Sequence, residues 1–176
     1  MTTKILVTYS SQTGSTADIA ETIGEILSDN GAQVEVRLMH NVKDLSSYNA
    51  IVIGSAIQSA KWLPEALQFI EIHKEILAQK PVAIFSVCMT LAMKNGEKYK
   101  HNISDWLNPV RKLVKPVSEE IFAGVLNIGQ IESFIQRIKF RISVAVGVWK
   151  EGDHRNWEAI EKWANSLNSK FSNTNK

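Results

Sequence analysis

The sequence of residues 4–27, KILVTYSSQTGSTADIAETIGEIL, passes from an apolar run through a turn of small polar residues directly into a helical pattern. Ile5 to Tyr9 are almost continuously apolar, which is typical of a strand covered on both faces. After the turn, apolar residues recur at helical spacing at Ile19, Ala20, Ile23, Ile26 and Leu27. Gly31 follows where a glycine commonly ends a helix. The stretch therefore predicts a buried strand, a polar turn and an amphipathic helix.

The rest of the chain repeats this alternation of strand and helix. Further strands are predicted at residues 34–38, 50–54, 81–87 and 120–126, and further helices from Pro64, around residues 103–113 and from Trp157. Because strands alternate with helices, we expect an α/β fold with a parallel sheet and helices on both faces. Residues 128–150 are longer than a usual connection and are predicted to be an insertion with structure of its own. We expect residues 1–176 to form a single domain.

Composition limits the class of protein. The chain has 176 residues, of which 44% are hydrophobic and 22% charged, which is ordinary for a globular protein. Its net charge of +2 is too balanced to indicate nucleic-acid binding. With Cys88 as its one cysteine and no metal-ligand spacing among its histidines, it is expected to hold neither an internal disulfide nor a metal. No leader pattern and no apolar run of roughly 18–20 residues occurs, so we expect a cytoplasmic protein.

The polar turn after the first strand suggests a binding site for phosphate. Its residues are Ser11, Gln12, Thr13, Gly14, Ser15 and Thr16. Backbone N–H groups at such a turn point outward, and the helix N-terminus adds about half a positive charge. Hydroxyls supply further donors, and Gly14 permits close approach of the backbone, so a dianionic phosphate can bind without lysine or arginine. The alternative is that Thr13 or Ser15 only caps the helix.

The turn matches neither of two common nucleotide fingerprints. No lysine follows Gly14, as the G-x-x-x-x-G-K-[ST] loop of ATP- and GTP-binding proteins requires, and G-x-G-x-x-G is absent. A loop of hydroxyls with one glycine after the first strand instead indicates a mononucleotide.

Residues 11–16 resemble the [ST]-x-T-G-x-T phosphate loop of flavodoxins, which binds the phosphate of FMN. The resemblance covers most of the chain and implies a flavodoxin-like, doubly wound, five-stranded parallel sheet of order 2-1-3-4-5, with FMN as cofactor. In such a sheet the ligand lies beyond the carboxyl ends of the strands, where the strand order reverses. Three loops are therefore expected to meet at the flavin. Beside residues 11–16, the residues implied after the third strand are Ser55, Ala56, Ile57 and Gln58, through backbone contacts, and Trp62. After the fourth strand the resemblance implies contacts from the backbone of Ser86, Val87, Cys88 and Met89.

Three residues have a structural interpretation beside a functional one. Trp62 either stacks on the flavin ring or packs beside Pro64 at the start of the next helix. Cys88, at the end of a buried strand, is expected to behave as a small hydrophobic residue and not as a reactive thiol. Asp153, shortly before the last helix, is expected to be its N-cap.

Residues 48–70, FSVCMTLA at 85–92 and GDHRNWEAIEKWA at 152–164 look like the flavodoxin-type protoporphyrinogen oxidases, the menaquinone-dependent dehydrogenases of haem synthesis. This resemblance implies an FMN-dependent enzyme that passes electrons from a porphyrinogen to a quinone at the membrane. A flavodoxin-like electron carrier and an NAD(P)H:quinone-type reductase are the alternatives. Typical carriers are acidic, and a sequence pI near 8.6 argues against that role. No catalytic acid, base or nucleophile stands out, and nothing in the sequence indicates an oligomeric state.

The insertion at 128–150 combines apolar and basic residues. Its apolar residues include Phe134, Ile135, Ile138, Phe140, Ile142, Val144 and Val146, and its cations are Arg137, Lys139, Arg141 and Lys150. Such a segment can lie on an anionic bilayer or line a pocket for an anionic ligand. The alternative is that it packs against its own domain with its basic residues in solvent. Peripheral contact with the inner face of the membrane is therefore one of the expectations.

Overall fold

The computed structural model describes residues 2–131 and 133–173. Within these residues the strands are β1 (Lys4–Ser10), β2 (Gln33–Leu38), β3 (Ala50–Gln58), β4 (Lys61–Trp62), β5 (Val82–Val87), β6 (Ser118–Phe122), β7 (Val125–Leu126) and β8 (Gly152–Asp153). The helices are α1 (Ser15–Asp29), α2 (Pro64–Leu77), α3 (Lys100–Asp105), α4 (Asn108–Leu113), α5 (Phe134–Ala145) and α6 (Trp157–Asn173). None of these helices is both long and apolar enough to cross a bilayer.

The five long strands form a parallel sheet in the order β2-β1-β3-β5-β6. Counted along the chain, this is the predicted order 2-1-3-4-5, and the doubly wound α/β fold is confirmed. The short strand β4 adds to the end of β3 in antiparallel direction. β7 and β8 form a separate antiparallel pair beside the main sheet.

Successive residues of each central strand enter different cores on the two faces of the sheet. On β1, Ile5 and Val7 pack with α1 and α6, whereas Leu6 packs with α2, α3 and α4. Both faces of β1, β3 and β5 are covered, which is why these strands are nearly continuous apolar runs. The edge strand β2 is less buried, in agreement with its alternating sequence.

The structure divides two elements that the sequence predicted as continuous. The helical pattern at 103–113 forms α3 and α4 because Pro109, in the first turn of α4, has no N–H to donate to a preceding turn. Ile103, Leu107 and Val110 all face the same core, so the apolar spacing continues across the break. The predicted strand 120–126 ends as β6 at Phe122, and Val125–Leu126 pairs instead with β8.

The insertion contains a short 3₁₀ turn, Ile128–Gln130, followed by α5. Residue 132 lies outside the described residues. None of the residues of α5 is buried, in contrast to α1, α2 and α6, which each bury an apolar face. The insertion therefore has structure of its own, but α5 contributes no side chain to either core.

Gly54 makes room for the ring of Phe85. A Cβ at Gly54 would lie 2.1 Å from Cζ of that ring, which packs against Phe122 and Trp163 with centroid distances of 6.4 and 6.2 Å. We expect Gly54→Ala to lower the free energy of unfolding by about 1–3 kcal/mol, because the new Cβ overlaps a fully buried ring. Denaturant unfolding measures the loss. Phe85→Leu should lower the free energy of unfolding less in the Gly54→Ala variant than in the wild type. Additive losses in the double variant would contradict this packing.

Candidate functional site

The turn between β1 and α1 has a backbone that only glycine adopts without strain. Gly14 is the N-cap residue of α1 and has φ 92°. Its N–H donates to Ser11 Oγ at 3.1 Å, which holds the turn in place. No side chain in the described part of the chain caps the first turn of α1. The alternative in which Thr13 or Ser15 caps the helix is therefore not what the structure contains.

The donors at this turn fit the phosphate of FMN. The uncapped first turn of α1 presents backbone N–H groups together with the positive end of the helix dipole. Ser15 and Thr16 are buried, and Gln12 and Thr13 are exposed. Because these donors are amides and hydroxyls, an anion can bind without a basic side chain.

A row of three buried serines underlies the second loop, residues 55–65. Ser10 pairs in register with Ser55, and Ser55 with Ser86, toward the carboxyl ends of β1, β3 and β5. Ser10 Oγ donates to Glu65 Oε2 at 2.5 Å, and Ser55 Oγ accepts from the Leu63 N–H at 3.1 Å. The third member, Ser86, bonds to the loop through Trp62. The serine row thus fastens this loop to the edge of the sheet at three points.

Sequence reasoning missed the serine row as a unit. The sequence predicts backbone contacts of Ser55 and Ser86 with the cofactor, and it gives no role to their hydroxyls or to Ser10. The signal was present in the sequence, since each of the three central apolar runs ends in a serine: Tyr9-Ser10, Gly54-Ser55 and Phe85-Ser86.

Trp62 belongs to the core that lies beneath this loop. Its ring is 2% exposed, and its Nε1–H donates to Ser86 Oγ at 2.8 Å. A ring covered in this way has no face available to a flavin. The burial of Trp62 and its hydrogen bond to Ser86 favour packing over stacking on a flavin.

The exposed part of the second loop is a tight hairpin between β3 and β4. Gln58 pairs with Lys61, and the two residues between them, Ser59 and Ala60, have φ 50° and 61°. Glycine and asparagine are the residues preferred at such turns. Ala56 and Ile57 are half-buried and Gln58 is exposed, so these three predicted contacts have surface available to a ligand.

The third loop has less accessible surface than its sequence suggested. Ser86 and Val87 lie within β5 and are buried, and the Cys88 N–H donates to the Phe122 carbonyl at 2.9 Å. Burial raises the pKa of the Cys88 thiol above its usual value, which disfavours the reactive thiolate. Met89 begins a half-exposed 3₁₀ turn and is the predicted contact in this loop with surface available to a ligand.

Gly124 lies where the phosphate turn, residues 11–16, meets the third loop, residues 86–89. A Cβ on Gly124 would lie 2.9 Å from Val87 Cγ1, 3.1 Å from Ser15 Oγ and 3.4 Å from Met89 Sδ. The Ser55–Ser86 pair joins the second loop to the same edge. The three predicted loops thus meet at the carboxyl edge of the sheet. Sequence reasoning did not single out Gly124.

Arg155 clamps the segment that follows β8 to the start of α1. Its guanidinium donates to Asp18 Oδ2 at 2.7 Å and to Asp153 Oδ2 at 2.6 Å, and it lies 4.4 Å from the Trp157 ring centroid. Hydrogen bonds from Arg155 hold the pKa of Asp153 below its usual value. The expectation that Asp153 caps the last helix is wrong. Asn156, directly before α6, accepts from the Ala159 N–H at 3.0 Å.

A cavity at the opposite edge of the sheet is not an alternative binding site for a mononucleotide. It has a volume of about 120 Å³ and is lined by residues at the amino ends of the strands, among them Thr3, Ala50 and Pro81. Small-molecule sites usually have volumes of about 300–1,000 Å³, so the cavity is too small for a mononucleotide.

The strained hairpin leads to a prediction about Ala60. A left-handed conformation costs a non-glycine residue roughly 1–2 kcal/mol, and glycine loses part of that gain to its greater unfolded-state entropy. We expect Ala60→Gly to raise the free energy of unfolding by about 0.5–1 kcal/mol in a denaturant titration. The matched control is Ala159→Gly in α6, which should lower it by about 0.5–1 kcal/mol. A loss of stability in both variants would contradict the left-handed turn.

Comparisons with known proteins agree with this architecture. The flavodoxin domain family matches residues 6–153. Protoporphyrinogen IX dehydrogenase (quinone) of Escherichia coli K12 is 23% identical over 175 residues, which is 93% of this chain and 94% of that protein. A Streptococcus pneumoniae TIGR4 flavodoxin superposes with a TM-score of 0.59 at 17% identity, over 95% of this chain and 99% of the other. Oxidised flavodoxin 2 of Bacillus cereus gives 0.55 at 20% identity, over 97% and 99%. The chain therefore belongs to the flavodoxin domain family, and its cofactor is FMN.

Proposed function

We propose that this protein is an FMN-dependent dehydrogenase that takes electrons from a porphyrinogen and passes them to a quinone. The observation that carries the proposal is the uncapped N-terminus of α1 beside Gly14, at an edge where three loops meet. The similarity over 93% of the chain to a protein named protoporphyrinogen IX dehydrogenase (quinone) supports this choice of donor and acceptor.

The phosphate turn binds the negatively charged phosphate of the cofactor. Ser11 fixes Gly14, whose backbone directs the first N–H groups of α1 toward the phosphate. Thr13, Ser15 and Thr16 add hydroxyl donors around the same anion. Asp18 lies in this first turn and would repel a phosphate, but Arg155 pairs with it and offsets its charge.

The second and third loops hold the ring system. Bound FMN supplies hydride or single-electron transfer, which no amino-acid side chain provides. Ala56, Ile57 and Gln58 would hold the ring from the second loop, and Met89 would hold it from the third. The serine row keeps the second loop from moving, so that the ring is oriented and shielded from water. Cys88 takes no part in the chemistry.

Net charge and the acceptor distinguish this proposal from an electron carrier. The chain carries a net charge of +2, whereas carriers typically use strong negative charge to dock on basic partners. Membrane quinones are lipids, so an enzyme that reduces them works at the bilayer surface. The proposal therefore includes a cytoplasmic protein in peripheral contact with the inner face of the membrane.

The phosphate turn is tested by adding a negative charge to it. Thr13 is exposed, so Thr13→Asp should leave the fold intact while its carboxylate repels the phosphate. We expect the affinity for FMN, measured by fluorescence titration, to fall at least about tenfold, or roughly 1.4 kcal/mol. Affinity for riboflavin, which lacks the phosphate, should not change. Ser28→Asp adds the same charge at the other end of α1, about 20 Å away, and is the matched control. Equal affinity of the wild type for FMN and riboflavin would contradict the assignment.

The donor and acceptor are tested with the FMN-loaded protein under anaerobic conditions. We expect protoporphyrinogen to bleach the visible flavin absorbance and a menaquinone analogue to restore it. Bleaching by NAD(P)H but not by protoporphyrinogen would overturn the proposed donor and favour an NAD(P)H:quinone-type reductase. A protein reduced by neither compound would favour an electron carrier.

A further inference from the structure

Helix α5 turns an apolar face toward solvent. The exposed fractions are 68% for Phe134, 66% for Ile135, 42% for Ile138 and 58% for Ile142, with 69% for Val146 just beyond the helix. At about 100° per residue these side chains occupy one third of the helix circumference. A helix of a globular protein normally directs such a face into the core. On α5 it covers nothing among the described residues.

The opposite side of α5 attaches it to the rest of the insertion. Phe140 is half-buried and packs edge-on against Trp149, with ring centroids 5.8 Å apart. Arg137 and Val144 on the same side are also half-buried. Ser133 Oγ accepts from the Gln136 N–H at 3.4 Å and caps the helix. Because these contacts define the inner side of α5, the apolar side is the outer one.

Basic residues border the apolar face on both sides. Lys139 and Arg141 are exposed, and at about 100° per residue they fall just beyond its two edges. With Arg137 they give α5 three cations, and no acidic residue occurs from Phe134 to Ala145. Among the described residues, none of these cations forms an ion pair with a carboxylate. An apolar stripe bordered by cations is typical of helices that lie in the surface of an anionic bilayer.

We propose that α5 is an interfacial helix that docks this protein on anionic phospholipid. The apolar face enters the boundary between headgroups and acyl chains, and Lys139 and Arg141 contact lipid phosphates. A twelve-residue helix is about 18 Å long, which allows it to lie in the surface but not to span the bilayer. A second copy of the chain is a poorer occupant, because pairing two α5 faces brings together the four cations that border them, Lys139 and Arg141 of each copy, without a carboxylate on either helix.

Docking through α5 deepens the proposed function and rests on it for its purpose, since a membrane quinone is the acceptor. The insertion leaves the fold at β7 and returns at β8, beside Gly124, which adjoins Ser15 and Met89. The Ile128 N–H donates to Glu151 Oε1 at 3.0 Å and closes the base of the insertion. The helix is therefore tethered at the edge of the sheet where the cofactor loops meet.

The test is sedimentation of the full FMN-loaded chain with vesicles. We expect it to bind vesicles of phosphatidylglycerol and phosphatidylcholine at least about tenfold more strongly than vesicles of phosphatidylcholine alone, with the difference reduced at high salt. Ile138→Asp with Ile142→Asp should abolish binding, because both residues are exposed and only the face is altered. Ile142→Asp alone should weaken binding, and its matched control is Ile72→Asp, a single substitution of the same kind at an apolar residue of α2 that is 68% exposed, which should not affect binding.

A second pair of variants separates local charge from net charge. Lys139→Glu with Arg141→Glu should remove the preference for anionic vesicles. Lys112→Glu with Lys115→Glu, at exposed positions away from α5, lowers the net charge equally and should retain the preference. Equal effects of the two double variants would overturn the proposal, as would absence of wild-type binding to anionic vesicles.

Two further results are informative about the occupant of the face. If the wild type is a dimer in analytical ultracentrifugation and Ile138→Asp with Ile142→Asp makes it a monomer without affecting vesicle binding, the face belongs to a second copy and the proposal is wrong. Vesicle binding needs no donor, acceptor or turnover, so its failure is distinguishable from failure of the proposed reaction. The same variant should keep its activity with a water-soluble quinone and lose it with a quinone embedded in vesicles.

Discussion

The parallel pairing of β1, β3 and β5 is the constraint on which the site depends. It places Ser10, Ser55 and Ser86 side by side at the carboxyl edge, where all three hydroxyls are buried. A buried polar group without a partner costs about 1–3 kcal/mol. Each hydroxyl is satisfied only when residues 55–65 adopt their observed path, through Trp62, Leu63 and Glu65. The energy that holds this loop in place thus comes from the sheet beneath it, and the strained turn at Ser59 and Ala60 is tolerated because both of its ends are held.

In the phosphate turn, backbone groups and not side chains are held in place for the ligand. Gly14 allows the chain to enter α1 without a side-chain cap, so the first N–H groups remain available to an anion. The charges nearby are arranged to cancel. Asp18 in the first turn is paired with Arg155, which is also shared with Asp153, so neither carboxylate opposes a bound phosphate with its full charge.

Sequence patterns predicted the fold and the position of the three loops but not which side chains reach a ligand. Continuous apolar runs identified β1, β3 and β5, and helical spacing identified α1, α2 and α6. The helical spacing of apolar residues did not identify the break at Pro109, because α3 and α4 bury the same face on both sides of the break. Trp62, Ser86 and Cys88 looked like contacts because they follow strands. Burial places their side chains beneath the loops, which only tertiary packing determines, and the backbone contacts of Ser86 and Cys88 with the flavin stay predictions. Asp153 and Asn156 are both residue types preferred at helix N-caps. Which of them caps α6 depended on the pairing of β8 with β7, which is a non-local contact.

The orientation of α5 is the feature that fold stability alone does not explain. Burying a phenylalanine or isoleucine side chain contributes roughly 1.5–3 kcal/mol, and α5 leaves four such side chains largely in water. Two antiparallel strands such as β7 and β8 can be joined by a two-residue turn, yet residues 127–151 separate them. An insertion that only connected these strands would have no reason to carry an apolar face, and one that enlarged the core would turn that face inward. On a bilayer surface the same face is buried and its flanking cations meet phosphates. Since both ends of the insertion adjoin the cofactor loops, the lipid surface and the flavin site become two parts of one arrangement.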